Sequence, residues 1–460
     1  ISNSTMLTTL TAKYDMNFGK HAINLLAGTS YEHYNYERLY SKRTDFVSDG
    51  LEDIEQGNEV SKETPGGSSI MESKMLSYFG RVNYSWNDRY LLEVNVRADG
   101  SSRFYKDNRW GIFPSVSAGW RISEESFMKP VTWINNLKLR ASYGTLGNIN
   151  NVGYYDYFRL MSSGSNYNFS DTAVKGVVEA QIPNTSLGWE TVALTDIGLD
   201  LDVLDNKLSI SADYYIKNTS DILLGYNVPR ETGIWSNPSL NLGKVRNKGF
   251  EMSVTHRYQI GDFSYSISAN IATNHNEITD LAGSDNMIQN AGDNIRWILK
   301  EGESIGSFYG LKTDGLYTQE EIDAGRYYIY GRAPQAGDIK YVPQREGVKY
   351  VCDLAKGEST ANASITDDDR TIIGKDVPDF TYGINLSLQW KNWELSAFGQ
   401  GVSGTSVGFE SEQVFAFMLN SNPRKYHLQR WTEENPNAHA PVPRLYGGTS
   451  MDEYNKHFSD

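Results

Sequence analysis

The stretch Tyr90-Leu-Leu-Glu-Val-Asn-Val-Arg-Ala-Asp99 decides the fold. Read with a period of two, Tyr90, Leu92, Val94, Val96 and Ala98 share one face. Leu91, Glu93, Asn95, Arg97 and Asp99 share the other. This is a strand with an apolar side and a wet side. A slip of one residue would turn Glu93, Arg97 and Asp99 onto the apolar side. If that side meets lipid, a basic side chain costs about 2–4 kcal/mol at the midplane and an acidic one somewhat less. The pattern therefore fixes its own register.

The same alternation recurs outward in both directions. Tyr382, Ile384, Leu386, Leu388 and Trp390 face away from Gly383, Asn385, Ser387 and Gln389. Residues 208–217 and 263–271 repeat it, and comparable runs lie near 7–18, 21–32, 75–86, 112–122, 137–144, 194–203, 250–258 and 393–400. The result is about twelve strands, each long enough for a tilted bilayer crossing of roughly 9–11 residues. Arg81, Arg121, Lys138, Arg140, Asp196, Asp200, Glu251 and Arg257 all fall on the polar faces of their own strands.

The connections alternate in length. Gly19-Lys20, Asn87-Asp88, Asp205-Asn206, Gly261-Asp262 and Lys391-Asn392 are short, and 123–136 joins this set although it has room for a helical turn. Between them lie 33–73, 100–111, 145–187, 218–241, 277–379 and everything after 402. An up-and-down antiparallel sheet with tight turns at one rim and large loops at the other has this parity. A soluble sandwich has no reason to keep its excursions so one-sided. Tyr84, Trp86, Tyr90, Tyr382, Trp390 and Trp393 sit near the ends of the apolar faces, where interfacial aromatic girdles belong. Ordinary cross-strand packing is the alternative for any single pair.

Composition narrows the function. With 39% hydrophobic and 22% charged residues, the 460-residue chain is too apolar for disorder. It has no apolar run near 18 residues, which excludes a helical membrane protein but not a β-barrel. A net charge of -14 without a basic block argues against nucleic acid as a partner. Cys352 is the one cysteine, so neither a disulfide framework nor a Cys-based zinc site is expected. No HExxH pair, phosphate-binding Gly-Lys-Ser/Thr loop, GxSxG elbow or dinucleotide fingerprint occurs. Asp367, Asp368 and Asp369 lack the alternating ligands and central glycine of a calcium loop and read as a solvated acidic turn. No catalytic residue, metal site or cofactor is expected, and the chain does not read as an enzyme.

Aromatic residues crowd the long connections. Tyr154, Tyr155, Tyr157 and Phe158 lie in one, Tyr226 and Trp235 in the next, and Tyr327, Tyr328 and Tyr330 in the largest. Such rings stack on sugars or peptides while their hydroxyls hydrogen-bond. The set Tyr154, Tyr155, Tyr157, Tyr226, Trp235, Tyr327 and Tyr328 is the candidate substrate-binding group; packing of the loops against one another is the competing role.

Several stretches are familiar as a series: Tyr78-Phe-Gly-Arg-Val-Asn-Tyr84, Asp88-Arg-Tyr-Leu-Leu92, Arg97-Ala-Asp-Gly-Ser-Ser-Arg-Phe104, Trp120-Arg-Ile-Ser-Glu-Glu125 and Leu137-Lys-Leu-Arg-Ala-Ser-Tyr-Gly144. Leu187-Gly-Trp-Glu190, Asn247-Lys-Gly-Phe-Glu251, Ile305-Gly-Ser-Phe-Tyr-Gly310, Gly337-Asp-Ile-Lys-Tyr341, Pro378-Asp-Phe-Thr-Tyr-Gly383 and Arg430-Trp-Thr432 continue it. In that order they resemble the barrel of the SusC/RagA family of TonB-dependent outer-membrane transporters. The departure is at 344–365, inserted where the family has an Asp/Asn/Gly-rich turn.

The resemblance implies an all-β, antiparallel up-and-down transmembrane β-barrel, part of a 22-stranded wall with a plugged lumen. Residues 1–402 would supply barrel strands with long extracellular loops, the largest being 277–379. Residues 403–460 would be an extracellular loop region before closing strands that lie, with the plug, outside this sequence. The implied function is TonB-dependent import of oligosaccharides or oligopeptides, with a SusD-like surface lipoprotein docked chiefly on 277–379. The implied location is the outer membrane of a Gram-negative, Bacteroides-type bacterium. A non-transporting glycan receptor or adhesin, and a secreted all-β glycan-binding or glycan-cleaving protein, are the alternatives.

Overall fold

The computed structural model describes residues 1–40, 43–44, 58–59, 67–163, 167–169, 172–174, 176–179, 181–225, 231, 238–283, 286–290, 295–324, 328–330, 333–348, 364–409 and 422–444. The chain divides into two units, one of 1–272 with 383–399 and one of 273–382 with 400–460.

The first unit is built on a wall of strands: β1 (Ser2–Phe18), β2 (His21–Tyr40), β3 (Gly67–Trp86), β4 (Tyr90–Ser101), β5 (Trp110–Arg121), β6 (Ile134–Asn148), β7 (Glu190–Val203), β8 (Leu208–Gly225), β9 (Ser239–Ile260), β10 (Phe263–Thr273), β11 (Phe380–Trp390) and β12 (Trp393–Ser403). They follow one another in the sheet in chain order. Every strand expected from the alternation is present. No helix among the described residues is long and apolar enough to cross a membrane.

The apolar faces stay aligned from strand to strand. One row of cross-strand partners reads Trp86, Tyr90, Trp120, Leu139, Leu199, Ala212, Met252, Ile271. Another reads Leu25, Val82, Val94, Val116, Tyr143. Between these rows, on the opposite face, lie Asn83, Glu93, Ser117, Ser142, Asp196 and Tyr215. Large side chains of the apolar face are left exposed: Ile112 is 69% exposed and Ile197 55%. An apolar surface of this continuity marks a lipid or partner interface rather than a solvated face.

Several strands outrun their sequence pattern. β2 and β3 each have 20 residues and β9 has 22. At about 3.3 Å per residue, 20 residues reach roughly 66 Å, well past an apolar band about 25 Å tall even when tilted. The 33–73 and 218–241 connections accordingly shrink, and the β2–β3 ladder continues to Tyr40 and Gly67. The physical reason is that beyond the band loops and water replace lipid: Leu39 is 74% exposed, whereas Tyr34 stacks on Tyr154 and Val245 is buried. The ladder of backbone hydrogen bonds persists while the alternation that would reveal it disappears.

The tight turns use the conformations their residues favour. Gly19 and Gly261 have φ of +59° and +56°, and Asn87 and Asp88 also lie at positive φ. The turn around Asp205-Asn206 is wider than expected, since Leu204 shares their positive φ and the strands close at Val203 and Leu208. The 122–133 connection does contain helical turns, at Ile122–Glu124 and Ser126–Met128.

The second unit is more than a loop. Asn286–Asn290, Arg296–Lys300, Ser307–Leu311 and Arg370–Lys375 form a four-stranded sheet. Leu311, Ile329, Tyr341 and Ile365 form a core beside it. Part of the region after 402 is built into this unit: Arg444 donates its N–H to Gly337 O at 3.0 Å, and its guanidinium pairs with the buried carboxylate of Asp338. Gly337 allows this closeness, because a Cβ there would stand 2.4 Å from the Trp431 ring and its φ is +84°.

Candidate functional site

Two surfaces of the first unit carry chemistry: the polar face of the wall and the residues around its long connections. On the polar face, Arg140 of β6 grips Asp200 of β7 through Nε and Nη2, at 2.8 and 3.0 Å. Its Nη2 also reaches Asp213 of β8 at 3.1 Å, and the Ser211 hydroxyl donates to Asp200 at 2.9 Å. Gly198 lies between Arg140 and Asp213 in the ladder, and a Cβ there would stand 2.1 Å from the Asp213 carboxylate. The glycine leaves the space the ion pairs occupy.

Rings lie flat along this face where glycine opposes them. Phe79 covers Gly28, and the Arg97 guanidinium stands 5.6 Å from the Phe79 ring centre while holding both Asp99 oxygens at 2.7 and 2.8 Å. Phe113 covers Gly147 and meets Trp189 edge-on at 5.4 Å. A groove on the wall is lined by Lys13, Asp15, Asn24, Glu93, Lys138 and Asp196, among others. Water, sugar hydroxyls and peptide groups all suit such a surface.

At the long-connection end, Phe104, Val152 and Leu187 are buried together, with Ile149, Trp189 and Leu223 packed around them. This cluster fixes the half-buried tyrosines. Tyr154 stacks on Tyr34 at 6.1 Å and lies under the Arg103 guanidinium at 4.2 Å. Arg103 is held in turn by the carbonyl oxygens of Ile149 and Val152, at 3.4 and 3.1 Å. The Tyr155 hydroxyl accepts from the Glu72 N–H at 3.3 Å, and its ring faces Tyr154 and Phe158. Tyr157 donates to Ser102 O at 3.3 Å and meets Tyr105 edge-on. Tyr154, Tyr155 and Tyr157 are thus one cluster, and each also packs the connection against the wall. Tyr328 is half-buried in the second unit, in a short parallel ladder with Ser364. Tyr226, Trp235 and Tyr327 lie outside the described residues.

Sequence reasoning missed Tyr34 and Arg103. Tyr34 stood in a stretch read as connection, and Arg103 was visible only as part of the Arg97–Phe104 stretch. The acidic turn needs correction. Asp367 and Asp368 are exposed, but Asp369 is fully buried and accepts from Arg345 Nη2 at 2.7 Å and from the N–H groups of Thr366, Gln344 and Arg345. Burial alone would raise the Asp369 carboxyl; the guanidinium and backbone donors outweigh it and hold it below the usual range. Tyr330, by contrast, is pushed up to about 12 by burial and by the Asp367 carboxylate its hydroxyl binds. No cluster of three or more metal-ligating side chains occurs among the described residues.

The family model described as TonB dependent receptor-like, beta-barrel matches residues 2–408. The chain belongs to that family. It is 33% identical over 448 residues to TonB-dependent receptor P3 of Formosa agariphila, covering 94% of this chain and 42% of that protein. It is 32% identical over 326 residues to TonB-dependent receptor SusC of Bacteroides thetaiotaomicron, covering 70% of this chain and 30% of the relative. Among solved structures it is similar to the RagAB peptide transporter, with a TM-score of 0.77, 26% identity, and coverage of 98% of this chain and 47% of that one. The chain therefore spans less than half the length of these relatives.

Proposed function

We propose that the chain forms wall and external loops of a TonB-dependent importer in the outer membrane of a Bacteroides-type Gram-negative bacterium. It takes up oligopeptides or oligosaccharides together with a SusD-like surface lipoprotein. One observation carries this reading: a sheet whose apolar rows stay aligned across its strands while Arg140, Asp196, Asp200 and Asp213 line the opposite face. Lipid is the medium that accepts the first face, and a watery lumen the second. The likeness to SusC and to the RagAB peptide transporter supports an importer with a lipoprotein partner, and the second supports oligopeptides as cargo. Residues 1–402 supply strands and loops, 277–379 the main lipoprotein contact, and 403–460 further external structure. Tyr154, Tyr155, Tyr157, Tyr226, Trp235, Tyr327 and Tyr328 present rings to cargo. No catalytic step is assigned to the chain.

The test follows labelled oligopeptides and oligosaccharides in cells carrying the full-length protein, with and without a working TonB complex. Surface binding should persist in both cases, and internalisation should stop without TonB. Internalisation that continues unchanged without TonB overturns the reading. Binding with no internalisation in either strain favours the receptor or adhesin.

A further inference from the structure

The short connection between β5 and β6 turns toward the apolar face. Glu125, between its two helical turns, is nearly buried, and its Oε1 accepts from the Tyr90 hydroxyl at 2.7 Å and from Trp120 Nε1 at 3.2 Å. Its Oε2 accepts from Arg89 at 3.3 Å. Tyr90 and Trp120 are cross-strand partners with parallel rings 6.4 Å apart, in the apolar row that includes Leu139 and Leu199. A carboxylate bound to both must lie on their side of the wall.

On this tethered connection, Phe127 is 61% exposed and Trp133 58% exposed. Lys129 stands exposed between them. On the wall, Trp86, Tyr90 and Trp120 are exposed rings too, and the last two are bound to Glu125 of this connection. Apolar rings beside a cation, on a connection tethered to the apolar face, suit the boundary between phospholipid headgroups and acyl chains.

We infer that the 122–133 connection is a membrane foot, strapped by Glu125 to the outer side of the wall, that seats Phe127 in the phospholipid leaflet at the short-turn rim. The inference rests on the membrane-wall reading above. Glu125 is a positioning residue: it orients the foot through Tyr90 and Trp120. Trp133 ends the foot, and its carbonyl accepts the Leu204 N–H at 3.1 Å, which ties it to the neighbouring turn.

The test uses full-length protein, free of other cysteines, reconstituted in phosphatidylethanolamine–phosphatidylglycerol vesicles. Spin labels are placed singly by Phe127→Cys, Leu92→Cys and Asp107→Cys, and relaxation by oxygen is compared with relaxation by a water-soluble nickel chelate. The Phe127 label should resemble the wall label at Leu92, with oxygen favoured. The Asp107 label, on the connection between β4 and β5, should favour nickel. Nickel access at Phe127 equal to that at Asp107, with Leu92 still in lipid, overturns the foot and leaves the wall. Nickel access at Leu92 overturns the wall itself. Adding Glu125→Gln should mobilise the Phe127 label and shift it toward nickel; an unchanged spectrum overturns the strap.

Discussion

At the scale of single residues, glycine and buried charge do the shaping. Gly147 is covered by Phe113, whose ring would stand 2.1 Å from a Cβ added there. Phe113 is 8% exposed and backed by Trp189, so it has little room to yield. Gly147→Ala should therefore cost about 1–3 kcal/mol by overpacking, read as a lower urea midpoint of the folded wall. Adding Phe113→Ala should make the combined loss smaller than the sum of the two single losses; additive losses would show that the ring does not press on Gly147. Asp369 gives a pH prediction. Its folded carboxyl lies below the ordinary value of about 3.9, so the unfolded chain takes up the proton first. The stabilisation is complete above the ordinary carboxylate range and is lost as pH falls through the lower folded value. Amide protection near Gln344 and Arg345, taken relative to the intrinsic exchange rate at each pH, should fall below about pH 4. Asp369→Asn should show faster exchange already at pH 7, with a flatter acid dependence.

At the scale of elements, the strands obey one rule inside the apolar band and another beyond it. Val94 is flanked by Val82 and Val116 on one face, and Ser117 by Glu93 and Ser142 on the other. Val94→Arg should lose about 2–4 kcal/mol if the band is lipid-facing and should lower the yield of assembled protein. Ser117→Arg gains an acidic neighbour and a wet face, and should assemble near the level of the parent. Equal membrane yields for the two variants would contradict the register. The extra lengths of β2, β3 and β9 escaped the alternation because no continuous lipid band sorts their side chains. Their hydrogen-bond ladders are invisible to a pattern built on hydropathy. The 122–133 connection was legible as a helical turn, but its attachment through Glu125 depends on two strands that only the sheet brings together.

At the scale of the whole molecule, the proposed importer places recognition on loop rings and passage along the charged face. Tyr154 is already stacked on Tyr34 and under Arg103, so its ring is held at little further entropic cost when cargo binds. Tyr154→Ala should weaken cargo binding by about 0.5–1.5 kcal/mol, the range for an aromatic contact, without reducing the amount of assembled protein. Calorimetric titration of the purified full-length complex reads this directly. Unchanged affinity would assign the ring to loop packing alone. The tyrosine cluster was legible as composition, whereas its partners Tyr34 and Arg103 were not, since they come from a strand end and a turn remote in sequence.

The amino-acid order alone determined the number of wall strands, the face each presents, the alternation of short and long connections, and the family. The strands, faces and connections follow from local periodicity and short-range turn chemistry, which need no knowledge of neighbours, and the family follows from the ordered series of matching stretches. Only the tertiary structure decided that 277–379 contains a small folded unit, that Asp369 is a buried acceptor instead of a solvated one, and that Glu125 bonds to the apolar face of the wall. Each of those depends on atoms far apart in the chain coming within hydrogen-bonding distance, and periodicity carries no record of distance.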